Sequence, residues 1–259
     1  MSALHDVYLN NILAAQPKES VKSYPVDCNK VEKFADGVIL LNPAIEANRG
    51  FQLKEAESEC NFDRQPKLMH IISSDGDLAT KTFFPIGQWL DLTLTWNQEK
   101  LDLNVRGKEL DIRESELDIN TIGNLEHFRT GYLKRSEDKK SWTYSRCNKE
   151  TTEDLKGCGI TNKKALKNHF PYVDSSPLSF IKTDANFIED HNDIFNCKVL
   201  SYITTIIHET QSDNQSFQNE MVAFGRKYSE NRSQSLSNCG IDSFDFGKCF
   251  NSQLKDFCE

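Results

Sequence analysis

Leu68-Met69-His70-Ile71-Ile72-Ser73-Ser74-Asp75-Gly76-Asp77 is the stretch on which the reading of the fold turns. Its first five residues form a short apolar run with little alternation, which is how a strand covered on both faces reads. Ser73 to Asp77 is built of turn-forming residues, so a strand is expected over 68–72 and a loop after it. Upstream, Val38-Ile39-Leu40-Leu41-Asn42 has the same character, with Asp36-Gly37 before it and Pro43 closing it. Downstream, residues 178–181 make a third, shorter candidate. Helical patterns flank these runs. Leu4, Val7, Tyr8 and Ile12 share a face over 3–15, and Val199, Leu200, Ile203, Ile206 and Ile207 form a stripe over 197–207. Strands alternating with helices predict an α/β fold around a parallel sheet.

Composition narrows the functional classes. The 259 residues carry a net charge of −8, with 37% apolar and 27% charged residues. An acidic chain with both signs interspersed is a poor match for phosphate-backbone binding, so no nucleic-acid partner is expected. No apolar run approaches the roughly 18 residues a transmembrane helix needs. Residues 1–20 lack the basic and apolar regions of a signal peptide, which points weakly to the cytoplasm. Eight cysteines are spread along the chain without a C-x-x-C pair, which argues against a zinc ribbon or thioredoxin site. Reduced, scattered thiols are the expectation, with a bridge among Cys239, Cys249 and Cys258 as the exception to look for.

Residues 81–177 lie between the second and third strands, far too many for a simple crossover. An inserted lid over the strand ends is expected there, with Thr151-Thr152-Glu153-Asp154 as one helix start. Residues 1–80 and 178–208 would then form the core, and 209–259 a polar C-terminal extension.

Ligands of open parallel sheets bind at the C-terminal ends of the strands. Asp75 and Asp77 follow the second strand, and His191, in Asp190-His191-Asn192-Asp193, follows the third. A carboxylate and an imidazole at neighbouring strand ends can make an oriented general base. Asp and His after strands are also common without function, and Asp190 to Asp193 could equally cap a helix or hold a metal weakly.

Three segments resemble a group of bacterial serine esterases or lipases within the α/β-hydrolase superfamily. Asp36-Gly37-Val38-Ile39-Leu40-Leu41-Asn42-Pro43-Ala44-Ile45-Glu46-Ala47 is similar to that group's apolar strand followed by Asn-Pro-Ala-x-Glu-Ala. Ser73-Ser74-Asp75-Gly76-Asp77-Leu78-Ala79-Thr80, leading to Phe84-Pro85-Ile86-Gly87, resembles Thr-Ser-x-x-Asp-x-Ala-Thr with a downstream Phe-Pro-x-Gly. His191-Asn192-Asp193-Ile194-Phe195-Asn196 resembles the catalytic-His segment. The resemblance spans roughly 1–208 and implies Asp77 as the triad acid, Asp75 as its neighbour and His191 as the base. It implies a small-molecule or lipid ester substrate, no cofactor and no metal. Thr121-Ile122-Gly123-Asn124 and His127-Phe128-Arg129-Thr130 resemble a loop of the group less closely. The group's Thr-His is here Thr130-Gly131, and His127 is read as a surface residue.

One part of the pattern is missing. None of the twelve glycines begins a Gly-x-Ser-x-Gly nucleophile elbow. Gly157-Cys158-Gly159 has the wrong spacing, and Gly247-Lys248-Cys249 lies after the histidine. Residues 2–15 resemble the helix that follows the elbow, which implies a serine about ten residues before Met1, with roughly the first five strands also upstream. The resemblance therefore implies an incomplete α/β-hydrolase-type sheet with flanking helices and an inserted lid-like segment. It also implies a chain inactive as given and poorly soluble or molten, with a raw apolar edge at the 38–42 strand. Phe83, Phe84, Trp89, Leu90, Leu92 and Leu94 could wall an acyl pocket, although ordinary helix packing explains them more simply. Two other readings stand beside the enzyme: a non-catalytic interaction protein, its partner unknown, and a metal-dependent hydrolase using Asp77, His191 and Asp193.

Overall fold

The computed structural model describes residues 2–18, 25–33, 35, 37–62, 65–92, 100–106, 108–135, 142–147, 156–160, 169–170, 173, 175–191, 193 and 196–211. Two compact units divide the chain, residues 1–193 and 194–259. The first holds every described strand.

Its main sheet contains β2 (Val38–Leu41), β4 (Met69–Ser74), β7 (Gly131–Arg135), β8 (Trp142–Arg146) and β9 (Leu178–Thr183), in the order β2-β4-β9-β7-β8. The three strands expected from the apolar runs are adjacent and parallel, with Val38 opposite Met69 and Met69 opposite Leu178. β7 adds in parallel to β9, and β8 closes the far edge antiparallel to β7. The architecture is α/β with mostly parallel pairing. Burial follows position. All six residues of β4 are buried, whereas all four of β2, at the edge, are half-buried.

The strand ends differ from the expectation. β4 runs through Ser73 and Ser74, because they pair with Lys182 and Thr183 of β9. Ladder hydrogen bonds thus override the local turn preference of serine. The segment 81–177 is not external to the sheet. It supplies β7 and β8, the hairpin β5 (Lys100–Val105) and β6 (Lys108–Arg113), and α4 (Glu114–Ile119). The Thr151–Asp154 helix start lies outside the described residues, as does the extension beyond Gln211.

Helix α1 (Ser2–Ala15) buries Tyr8 and Ile12, and the Tyr8 hydroxyl donates to the Leu68 carbonyl just before β4, at 3.1 Å. Helix α2 (Ala47–Ser58) packs beside it and carries a buried ion pair, Lys54 Nζ to Glu57 Oε1 at 3.0 Å. Lys54 also lies over the rings of Phe170 and Phe180, 5.9 and 5.5 Å from their centroids. Residues 197–211 form α5 in the second unit, on which the stripe from Val199 to Ile207 falls. No described helix is long and apolar enough to cross a membrane.

The expectation of reduced cysteines is overturned. Cys28 of β1 (Val26–Cys28) is bonded to Cys60 of the parallel strand β3 (Cys60–Phe62), and Cys147 is bonded to Cys158. The partners are 32 and 11 residues apart, and nothing in the spacing reveals them; the β1–β3 pairing brings the first pair to a Cα separation of 5.4 Å. Cys239, Cys249 and Cys258 lie outside the described residues.

Two predictions follow from the buried polar groups. Breaking one side of a buried ion pair leaves an uncompensated charge. Glu57→Ala should therefore lower stability by about 3–5 kcal/mol in urea titration, and replacing Lys54 and Glu57 together by Met and Leu should cost much less. The second concerns histidines. Burial, and then the charge of Lys67, lowers the His70 pKa from 6.5 to about 4. Burial, reinforced by Lys54 and Lys108 against hydrogen bonding to Phe170, lowers that of His169 to about 3. Both are bases held neutral in the fold, so below pH 6.5 the unfolded chain binds more protons than the folded one. Their contribution is complete above pH 6.5 and is lost as pH falls toward 4, at about 1.4 kcal/mol per unit for each ring. Replacing both by Gln or Leu should flatten that limb of the stability profile.

Candidate functional site

The C-terminal ends of β2, β4 and β9 lie side by side, and the candidate residues gather there. Asp77 is completely buried. Its Oδ1 accepts the backbone N–H of Ala79 at 2.9 Å and of Thr80 at 3.3 Å. Its Oδ2 accepts the Thr80 hydroxyl at 2.9 Å and lies 2.9 Å from His191 Nδ1. Asp77 thus caps the first turn of a π-helix (Ala79–Phe83) that continues into α3 (Phe84–Leu92). A π turn is a rare local geometry that occurs often at functional sites.

A carboxylate oxygen can only accept, so Nδ1 of His191 carries the proton. In the neutral ring that leaves the Nε2 lone pair free, on a side chain that is 50% exposed. The two residues are 114 positions apart in the chain and meet because β4 and β9 are direct neighbours. Among the described residues, no serine or cysteine is hydrogen-bonded to His191.

Asp75 points elsewhere. It is paired with Lys81 at 3.0 Å and Lys182 at 2.9 Å. Burial pushes its carboxyl up, but hydrogen bonds and charge from the two lysines outweigh this and hold it below the usual carboxylate value. Asp193 accepts the Glu189 backbone N–H at 2.9 Å. Among the described residues, no group of three or more His, Cys, Asp and Glu is placed to hold a metal ion.

Several residues that sequence reasoning missed build the platform. Asn42 adopts a left-handed backbone, φ 43°, which asparagine tolerates better than most residues. Its Oδ1 accepts the Ser74 N–H at 2.9 Å, tying the end of β2 to the end of β4. The Asn-Pro sequence carried a signal for this, since both residues favour a sharp exit from a strand. Gly123 passes so close to Ser73 Oγ that no side chain fits. Gly131 lies under the Tyr144 ring, so a side chain there, histidine included, would have to displace that half-exposed ring.

His127 is not a surface residue. It is buried, with Nε2 3.0 Å from Glu116 Oε1. Its 3-10 turn (Glu126–Phe128) fixes it inward while Phe128 enters the core. Arg129 is buried too, donating to the carbonyls of Cys158 at 2.8 Å and Asn124 at 3.1 Å. The aromatic segment also departs from ordinary packing: Phe83, Ile86 and Trp89 are 66%, 52% and 50% exposed, and Leu78 is 59% exposed. The side chains of Leu90 and Leu92 lie outside the described set, as does Leu94.

No family model, curated protein or solved structure matches this chain. The arrangement of its own residues is therefore what any functional reading rests on.

Asn42 provides a direct test of the platform. Asn42→Ala should lose about 2–4 kcal/mol, from forcing a Cβ-bearing residue without a local hydrogen bond into the left-handed region and from stranding the Ser74 N–H. Asn42→Gly should lose only the second part. Equal losses in urea titration would show that the backbone conformation contributes nothing.

Proposed function

We propose that this chain is the acid–base portion of a serine hydrolase of carboxylic or lipid esters, related to the α/β-hydrolases. The observation that carries the proposal is the 2.9 Å contact between a buried Asp77 carboxylate and the imidazole of His191. The two sit at the C-terminal ends of neighbouring parallel strands, with the acid before the base in the chain. That order and placement are those of the second half of the hydrolase triad, Ser, then Asp, then His.

In this reading His191 Nε2 takes the proton as a serine oxygen attacks the ester carbonyl. Asp77 holds the tautomer and stabilises the imidazolium that forms. His191 then returns the proton to the leaving alcohol, and a water repeats the sequence to release the acid. The serine has to come from beside β2, whose outer edge pairs with no other described strand. Without it the Asp77–His191 pair has no nucleophile to activate.

A second reading has an observation of its own. Leu78, Phe83, Ile86 and Trp89 expose large apolar surface, as the docking face of a non-catalytic interaction protein would.

The transcript upstream of the Met1 codon separates the two. A Gly-x-Ser-x-Gly string about ten residues ahead of Met1 is expected on the hydrolase reading. Expression from that upstream start should give a protein labelled by a fluorophosphonate probe. In it, His191→Ala and Asp77→Asn should each lower ester kcat by roughly 10³–10⁴-fold or more. Absence of the string together with absence of probe labelling would overturn the enzyme and leave the interaction protein.

A further inference from the structure

We infer that Ser74 is the positioning residue that sets His191 against Asp77. Its hydroxyl is the junction between the two segments that carry them. Ser74 Oγ lies 2.5 Å from the Ile188 carbonyl and 3.1 Å from the Asp184 carbonyl, both in the loop after β9, and accepts the Gly76 N–H at 3.0 Å. A hydroxyl has one proton to donate, and the shorter distance assigns it chiefly to Ile188. Its backbone N–H is held by Asn42 Oδ1, so the residue is fixed from the β2 side as well.

The spacing gives this junction its leverage. Asp77 lies three residues beyond Ser74, and His191 lies three residues beyond Ile188. The Ser74–Ile188 and Asp77–His191 hydrogen bonds therefore close a small ring of two short chain segments. Backbone pairing supports one end of it, through the Asp75 N–H and the Thr183 carbonyl at 3.0 Å. Past Thr183 the ladder ends, and the Ser74 hydroxyl bridges where backbone pairing no longer does. Gly76 belongs to the same closure: a Cβ there would meet the Ile188 carbonyl at 2.7 Å and press on that of Glu189. The two segments can approach this closely only around a glycine.

Ser73 supplies a contrast within the same strand. It is equally buried, yet its hydroxyl has no hydrogen-bond partner among the described residues. Removing the hydroxyl at 73 takes the same atom from the same strand without touching the ring.

This inference rests on Asp77 and His191 forming an oriented pair, and its test reads the imidazole directly rather than turnover. The full chain is labelled with ¹⁵N at histidine, and the His191 ring signals are assigned by their loss in His191→Gln. In the wild type His191 should occupy the Nδ1–H tautomer, with a slowly exchanging Nδ1 proton. In Ser74→Ala the tautomer should relax toward the mixture of a free imidazole, and the Nδ1 proton should exchange at least roughly tenfold faster. Ser73→Ala should leave both signals as in the wild type. Gly76→Ala removes no hydrogen-bonding group but should produce the same loss as Ser74→Ala, which keeps the test open if the serine variant does not fold. Wild-type tautomer and exchange in either a folded Ser74→Ala or a folded Gly76→Ala would overturn the inference. So would an equal loss in Ser73→Ala. A chain that passes this test and still shows no upstream serine would refute the hydrolase reading alone.

Discussion

A buried carboxylate has to be satisfied on every side, and Asp77 imposes that requirement on everything around it. An isolated charge in the interior is strongly unfavourable, and fixed donors offset the cost. Four converge here: the N–H groups of Ala79 and Thr80, the Thr80 hydroxyl and the His191 ring. Three of the four come from the turn that begins at Asp77 itself. They fix how the chain leaves β4, and with it the direction of the helix that follows. The fourth comes from beyond β9. The same carboxylate therefore sets the start of one loop and the end of another.

The charges nearby are arranged so that they leave that carboxylate to the imidazole. Lys81 and Lys182, the two cations closest in the chain and the sheet, are both taken by Asp75. A lysine free to reach Asp77 would compete with His191 for Oδ2. Arg129, a buried cation beside Asp75 and Glu126, donates to the carbonyls of Cys158 and Asn124. Burial lowers its pKa, opposed by the charges of Asp75 and Glu126. The Cys147–Cys158 bond fastens one of those carbonyls to the end of β8. A disulfide that looks remote from the strand ends thus holds the acceptor that keeps a cation in place.

The parts legible in the sequence were those governed by local pattern. Val38 to Leu41, Leu68 to Ile72 and Leu178 to Ile181 announce themselves as strands because burial on both faces leaves a continuous apolar run. Asp77 and His191 could be placed because loops at strand ends are where such residues converge. What stayed hidden depended on partners distant in the chain. Ser73 and Ser74 look like a turn until the register with Lys182 and Thr183 is known. β7 and β8 are rich in polar residues, as exposed strands are, and belong to the sheet only through β9. The two disulfides follow from β1 lying beside β3 and from residues 156–160 lying against Tyr132 of β7, the strand that pairs with β8. His127, polar and flanked by a charge, gives no hint that its ring is buried against Glu116.

The balance between catalysis and simple docking comes down to what each residue costs the fold. A docking protein needs the exposed face of Leu78, Phe83, Ile86 and Trp89, and nothing in that role requires a buried charge. Asp77 carries a desolvation cost of several kcal/mol before its hydrogen bonds repay it. An asparagine could cap the same turn with no charge to bury. What a carboxylate does and an amide cannot is stabilise a protonated imidazole at His191. That ring is itself half exposed, with Nε2 not engaged by the carboxylate. A carboxylate at one nitrogen, access at the other and a single enforced tautomer are three requirements of an oriented general base. Docking requires none of them, and for that reason the acid–base reading is the stronger of the two.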